Sequence, residues 1–262
     1  GADYNETLLW HSPEDIKVKP FYHNDESQNT YGAQTKATQF SICQDIFVYD
    51  IEKSIAKAND CINRGAESIR FTLQDGTTDI ARLLENFPFE KASVYIQPSF
   101  LSIDFLKKID AIAKAKNALI YVFADPIGQL AQDGNWFQTP EKDNFETFNV
   151  LTKETSNLAF VSIKAGLYQN AGANMVQQIA YTLAHANEYL NRLPKINQAI
   201  LLEVAIGTNY FFEIAKLRAL RLLFDLIAKE YHFTHGCHIF ATPTKRNKTI
   251  YDYNVNMLRT TT

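Results

Sequence analysis

Beyond Thr38 the chain alternates between two kinds of pattern. Apolar runs of strand length lie at 39–47, 67–74, 92–97, 118–124, 158–164, 199–206 and 237–242, and each is followed by a longer amphipathic run, at 50–64, 77–86, 102–116, 142–155, 173–192, 209–231 and 250–262. A strand covered on both faces reads as a nearly continuous apolar run, whereas a helix that buries one stripe reads with a 3.6-residue period. Their alternation implies βαβ units and a parallel sheet. Seven such units predict a (β/α)8 TIM-type barrel, truncated before its eighth strand; a doubly wound open sheet satisfies the same alternation. Residues 1–38 lack the rhythm. Their "HSPEDIKVKPFY" holds Pro13 and Pro20 and few periodic apolar positions, so 1–38 reads as an extended arm and 39–262 as the barrel domain. The segment 128–141, "GQLAQDGNWFQTPE", reads as a long loop at the barrel mouth, where long loops serve function. The chain opens on Gly1 and stops inside a helical pattern, so the natural protein is expected to continue.

Composition narrows the partners. Acidic and basic residues nearly balance, 29 against 26, with no block of like charge, which speaks against nucleic acid. No apolar run approaches the ~20 residues a membrane helix needs. Cys43, Cys61 and Cys237 are scattered and odd in number, as expected of reduced thiols in a cytoplasmic protein.

Several motifs carry candidate chemistry. "YHFTHGCHIF" gathers His232, His235, Cys237 and His238, but the spacing fits no zinc pattern, and neighbours on a strand point to opposite faces. The plainer reading is a helix C-terminus, a Gly turn and a strand. "SIKAGLYQNAGA" lacks both phosphate-loop spacings and reads as a tight βα turn. "TKRNKT" is a small basic patch that reads as a solvated loop, with a surface for an anion or an acidic partner as the alternative. The helix "NYFFEIAKLRALRLLFDLIAKEY" is apolar on two sides, so a second surface is expected to be covered by another chain, another domain or a loop. Barrel chemistry belongs at the C-terminal strand ends, where the candidates are Gln44, Asp45, Gln74, Asp75, Gln97, Asp125 and Gln169. Alternation puts Ser68, Arg70, Thr72 and Gln74 on one face of the second strand run. Ser93, Tyr95 and Gln97 form the row on the third, Ser162 and Lys164 on the fifth, and Glu203 lies on the sixth. An inward Arg70 or Lys164 needs an inward acid, so the expectation is a bore plugged by large polar side chains, with Glu203 held by one of the two.

Four segments, in order, resemble the methylmalonyl-CoA mutase family. "LLWHSPEDIKVKPFY" is similar to the family's L-x-W-x-T-P-E-G-I-x-I-K-P-L-Y. "QNAGANMVQQIAYTLAHANEYL" is similar to Q-E-A-G-A-x-x-x-x-E-x-A-Y-x-L-A. "GTNYFFEIAKLRALRLLFDL" is similar to G-x-N-F-F-M-E-x-A-K-x-R-A-x-R-x-L-W, and "KRNKTIYDYNVNMLRTT" resembles the segment before the eighth strand. The resemblance implies an adenosylcobalamin-dependent isomerase whose barrel binds the CoA thioester, with pantetheine threaded along an axis lined by small polar side chains. It also implies a separate cobalamin domain marked by D-x-H-x-x-G, a signature these residues lack, so no cofactor is expected on this chain alone.

Catalytic members read S-I-S-G-Y-H-M-Q-E-A-G-A, where this chain reads "SIKAGLYQNAGA". Aligned on A-G-A, the family Tyr falls on Gly166, the His on Leu167 and the Glu on Asn170, while the Gln is kept as Gln169. Phe145 falls where a substrate-binding Arg belongs. Gly and Leu cannot hydrogen-bond a thioester through their side chains. The pattern is similar to the small subunits of the heterodimeric members, regarded as non-catalytic and paired with a large catalytic subunit. The alternatives are a catalytically active acyl-CoA mutase of altered specificity, using the mouth residues above, and a CoA-ester-binding regulatory module.

Overall fold

The computed structural model describes residues 3–23, 25 and 40–261. The arm is less extended than its composition suggests. It forms a helical turn, α1 (Tyr4–Thr7), and a short antiparallel hairpin of β1 (Trp10–His11) and β2 (Lys17–Val18). Residues 1–2, 24 and 26–38 of the arm, and the first residue of the 39–47 run, lie outside the described residues.

The barrel domain then runs β3 (Cys43–Phe47), α2 (Ile51–Asn63), β4 (Ser68–Leu73), α3 (Ile80–Leu84), β5 (Ser93–Pro98), α4 (Ile103–Ala115), β6 (Ile120–Ala124), α5 (Pro126–Asp133) and α6 (Glu141–Glu154). It continues with β7 (Leu158–Ile163), α7 (Gly166–Asn170), α8 (Met175–Arg192), β8 (Ile200–Ile206), α9 (Tyr210–Glu230), β9 (Cys237–Pro243) and α10 (Val255–Thr261). The seven strands β3 to β9 pair in sequence order, and every pair is parallel. The sheet curls on itself. Arg70 on β4 bonds Glu203 on β8, and Tyr95 on β5 reaches His238 on β9, each four strands away. The curl decides for a barrel missing its eighth strand over the open sheet.

Two apolar layers follow from strand alternation. Ile69, Phe71, Leu73, Val94, Ile96, Leu202 and Val204 face the helices and pack with Ile109, Phe148, Tyr189, Leu220 and Phe224. The opposite face encloses a smaller cluster of Tyr95, Phe123, Ala159, Leu201 and Phe240. Helix starts are fixed by side-chain caps: Asp50 to Lys53 N, Ser102 to Phe105 N, Asn209 to Phe212 N, and a reciprocal Asn174–Gln177 capping box on α8.

The long loop expected at 128–141 is corrected: its first part completes α5. Asp125 caps that helix through Gly128 N at 2.8 Å, Pro126 fills the first turn, and Gly134 ends it at φ 72°. A Cβ at Gly128 would sit 2.1 Å from the Asp125 carboxylate, so only glycine fits there. Two expected helices are shorter than read. Residues 77–79 form a turn on the Asp75 carboxylate before Asp79 caps α3. Asn256 bonds Thr249 through both its side-chain atoms and so holds a turn ahead of α10. Among the described residues no helix is long and apolar enough to cross a membrane.

Candidate functional site

The bore is closed by a charged rung. Asp45 and Arg70 are register partners on β3 and β4, so their side chains share the inner face. Arg70 donates from Nε to Asp45 Oδ1 at 2.7 Å and from one terminal nitrogen to Asp45 Oδ2 at 2.6 Å. Its other terminal nitrogen donates to Glu203 Oε1 at 2.6 Å. The planar guanidinium also lies 4.7 Å from the Phe240 ring centre and 5.5 Å from that of Phe123. A rigid fork that bonds two carboxylates while resting on aromatic faces is what Arg offers and Lys does not. Burial lowers the Arg70 pKa, but the bonds to Asp45 and Glu203 outweigh it and hold it above the ordinary value.

Aromatic rings fill the space behind the rung. Tyr121 stacks on Tyr95 at 4.7 Å and on His238 at 4.6 Å, and Phe240 packs 4.9 Å from Tyr95. Tyr95 Oη and His238 Nε2 are 2.8 Å apart. Burial raises the Tyr95 pKa. Burial, aided by Arg221, lowers that of His238, so at neutral pH a neutral imidazole accepts a hydrogen bond from a phenol that keeps its proton.

Above the rung lies a mouth cavity of about 590 Å3, floored by Asp45, Arg70 and Glu203 and walled by Gln97, Lys164, Gly166, Leu167 and Lys245. A separate cavity at the opposite end of the sheet reaches Tyr121. Gly166 and Leu167 bring no polar side-chain atom to the mouth. Lys164 lines it half-buried and makes no ion pair among the described residues; Glu203 pairs with Arg70.

The other sequence candidates disperse. Gln44 is the second residue of β3, far from the C-terminal end of that strand, and bonds the Asp45 carbonyl; its placement at the mouth is corrected. Gln74 and Asp75 follow β4 in solvent, where Asp75 accepts from Thr77. Asp125 is fully buried and does not open to the mouth. It accepts from Gly128 N, Lys164 N at 2.7 Å and Tyr189 Oη at 2.6 Å, with His185 Nε2 at 3.0 Å. Burial pushes its pKa up, but His185 and these hydrogen bonds bring it below the usual carboxylate range. Phe145 sits in the second turn of α6, buried between Trp136 and Tyr189, with Arg192 over its face. In the His/Cys motif, His238 faces the bore while Cys237 packs toward the helices. Burial pushes the Cys237 thiol up to about 11.

One cluster escaped the sequence reading, and so did the burial of a pair, Glu213 and Lys216, whose i,i+3 spacing is legible in the sequence. Tyr181, His185 and Tyr189 repeat every four residues along α8, and His185 Nδ1 lies 3.1 Å from Tyr168 Oη; that spacing was the signal. On α9, Glu213 and Lys216 are buried although Tyr210 and Phe211 beside them are 68% and 77% exposed. Lys216 Nζ donates to Ala205 O at 2.7 Å and Gln178 Oε1 at 3.1 Å, and stands 2.6 Å from Glu213 Oε2. Gly207 N donates to Glu213 Oε1 at 2.8 Å. Next to this pair, a third cavity, of about 350 Å3, is lined by Glu14, Gln169, Gly207, Glu213, Arg246 and Asn247. Gln169, expected at the main mouth, faces this one instead.

The family model for methylmalonyl-CoA mutase matches residues 74–262. The methylmalonyl-CoA mutase small subunit of Porphyromonas gingivalis is 27% identical over 305 aligned positions, which cover 100% of this chain and 48% of that protein. The methylmalonyl-CoA mutase of Cereibacter sphaeroides is 39% identical over 172 positions, covering 60% of this chain and 24% of that protein. A methylmalonyl-CoA mutase large subunit of Streptomyces virginiae is 39% identical over 82 positions, 27% of this chain and 11% of that one. The chain thus spans less than half the length of each of these relatives.

Proposed function

Because the chain belongs to the methylmalonyl-CoA mutase family, we propose that it is the barrel part of a non-catalytic small subunit, paired in a cytoplasmic heterodimer with a large subunit that interconverts methylmalonyl-CoA and succinyl-CoA. The observation that carries this reading is the closed bore. A pantetheine arm threaded along the axis would have to displace the Arg70–Asp45–Glu203 rung and the rings of Tyr95, Phe123 and Phe240 behind it. Opening that rung would leave the buried Arg70 and the largely buried Glu203 unpaired, at several kcal/mol. Gly166 and Leu167 at the mouth add to the reading: neither side chain can polarise a thioester or donate to an oxyanion.

The residues present do not fit a corrin's lower axial ligand. His185 and His238 are engaged inside the fold. His232 and His235 precede β9, at the end of the sheet opposite the mouth, and His11 and His23 belong to the arm. No chemical step is therefore assigned to adenosylcobalamin on this chain, and the proposal is that the chain alone binds none. The partner surface is proposed on the exposed apolar side of α9, with Tyr210, Phe211, Ile214 and Leu226, and on the adjoining arm, where Trp10 packs 5.6 Å from Phe212.

The test is turnover. The chain is mixed with adenosylcobalamin and methylmalonyl-CoA, with and without a large subunit. Isomerisation only in the mixture is expected. Isomerisation by this chain in its natural full length, with no partner, sinks the reading in favour of an active mutase.

A further inference from the structure

The cavity beside Gly207 gathers buried acceptors that have lost their donors. Glu14 Oε2, Gln169 Oε1 and Asn247 Oδ1 are buried in its wall without a hydrogen bond, and Glu213 Oε2 has only the ion contact with Lys216. Gln169 is 4% exposed, so its amide cannot turn to solvent. The other buried polar atoms without a hydrogen bond among the described residues, Ser162 Oγ and His185 Nε2, lie elsewhere. These acceptors come from the arm, α7, α9 and the loop after β9, four segments brought together only by the fold. The arm wall is itself fastened: Asn174 Nδ2 donates to Pro13 O at 3.2 Å, and Trp10 packs on Phe212.

An unsatisfied buried acceptor costs more than the hydrogen bond it lacks. The buried atoms left unsatisfied in this wall are all acceptors, and they call for an occupant made of donors. Charge makes the requirement sharper. Lys216 already balances Glu213 and spends its other protons on Ala205 and Gln178, so Glu14 is the carboxylate left over. Arg246 lines the rim, exposed, and makes no bond to it. Among the described residues there is no group of three or more His, Cys, Asp or Glu side chains able to hold a metal ion. We infer that this cavity binds a guanidinium or primary ammonium group, which brings one positive charge and several N–H donors in a compact head. The group comes either on a small molecule or on an Arg or Lys side chain of a polypeptide.

Calorimetric titration of the 262-residue chain at constant ionic strength tests this. Ethylguanidinium and the peptide Gly-Arg-Gly are the probes, and tetramethylammonium, a cation without N–H donors, is the control. Saturable binding of ethylguanidinium is expected, weakened about tenfold or more in Glu14→Gln by loss of a charge-assisted hydrogen bond. Gln169→Leu is expected to weaken it too. Tighter binding of the peptide than of ethylguanidinium assigns the occupant to a polypeptide side chain; the reverse order assigns it to a small molecule. Absence of saturable binding overturns the inference. So does equal binding of tetramethylammonium, or binding unchanged in folded Glu14→Gln.

Discussion

In the bore, Arg70 meets two carboxylates and two aromatic faces. In the cavity beside Gly207, several buried carbonyl and carboxylate oxygens are left without a donor, although Arg246 stands at the rim. Both regions are buried and polar, and both are assembled from segments far apart in the chain. They differ in saturation. A buried polar cluster whose members satisfy one another closes a space and fixes the packing around it. One whose members are left over keeps a space open. The same contrast separates the proposed roles of the two places: the bore excludes a ligand, and the flank cavity awaits one.

Breaking the saturated cluster has the largest expected effect. Arg70→Met removes the cation and leaves the largely buried Glu203 unpaired beside a half-exposed, solvent-screened Asp45, and the expected loss is about 3 kcal/mol in denaturant unfolding, the lower end for a broken buried pair. Combining it with Asp45→Asn and Glu203→Gln restores part of that loss, because no bare charge remains. A loss under about 1 kcal/mol for Arg70→Met alone erases the contrast. Tyr95→Phe is milder. It removes the 2.8 Å bond and leaves His238 Nε2 without a donor, at about 1–3 kcal/mol.

Acid sharpens the comparison further. The folded pKa of His238 lies below its ordinary 6.5, so between the two values the unfolded chain binds more protons. Stability therefore falls as pH drops below about 6.5, by at most about 1.4 kcal/mol per unit, and His238→Gln removes this slope. Asp125 acts in a separate, lower window: its folded pKa is depressed, so its contribution is complete above the unfolded value of about 3.9 and is lost as pH falls below it. The smallest effect belongs to the unsaturated cluster. Gln169→Leu deletes an acceptor that had no partner, and its stability change is expected within about 1 kcal/mol of zero in either direction. A large loss there means that the amide is bonded in solution, and the two regions are then alike.

Much of the fold was legible because its signals are local. Periodicity places the seven strands and the long helices α2, α4, α6, α8 and α9 within a few residues, since burial on one or two faces writes itself along a single segment. Helix α5 was also written there, as Asp125, Pro126 and Gly134, but its capping signals lay beside apolar residues too few to draw the eye. The mouth was harder. Gln44 and Asp45 are neighbours, yet alternation sends only Asp45 toward Arg70. Asp125 ends its strand as a mouth residue should, but the ladder of β6 and β7 shifts register between Tyr121 and Ala124, and the carboxylate finishes among helix-side partners.

By itself, then, the sequence determined which segments are strands and which helices, and on which face Arg70, Tyr95 and Glu203 lie, because pleat and helix period are properties of one segment. Partnership was decided by the tertiary structure alone. The curl of the sheet brings β4 to β8 and β5 to β9 and sets Arg70 on Glu203 and Tyr95 on His238, while the docked arm carries Glu14 to the wall that Gln169 and Glu213 share. A face can be read from a repeat of two residues. A contact across four strands exists only once the sheet has curled far enough for its inner faces to meet.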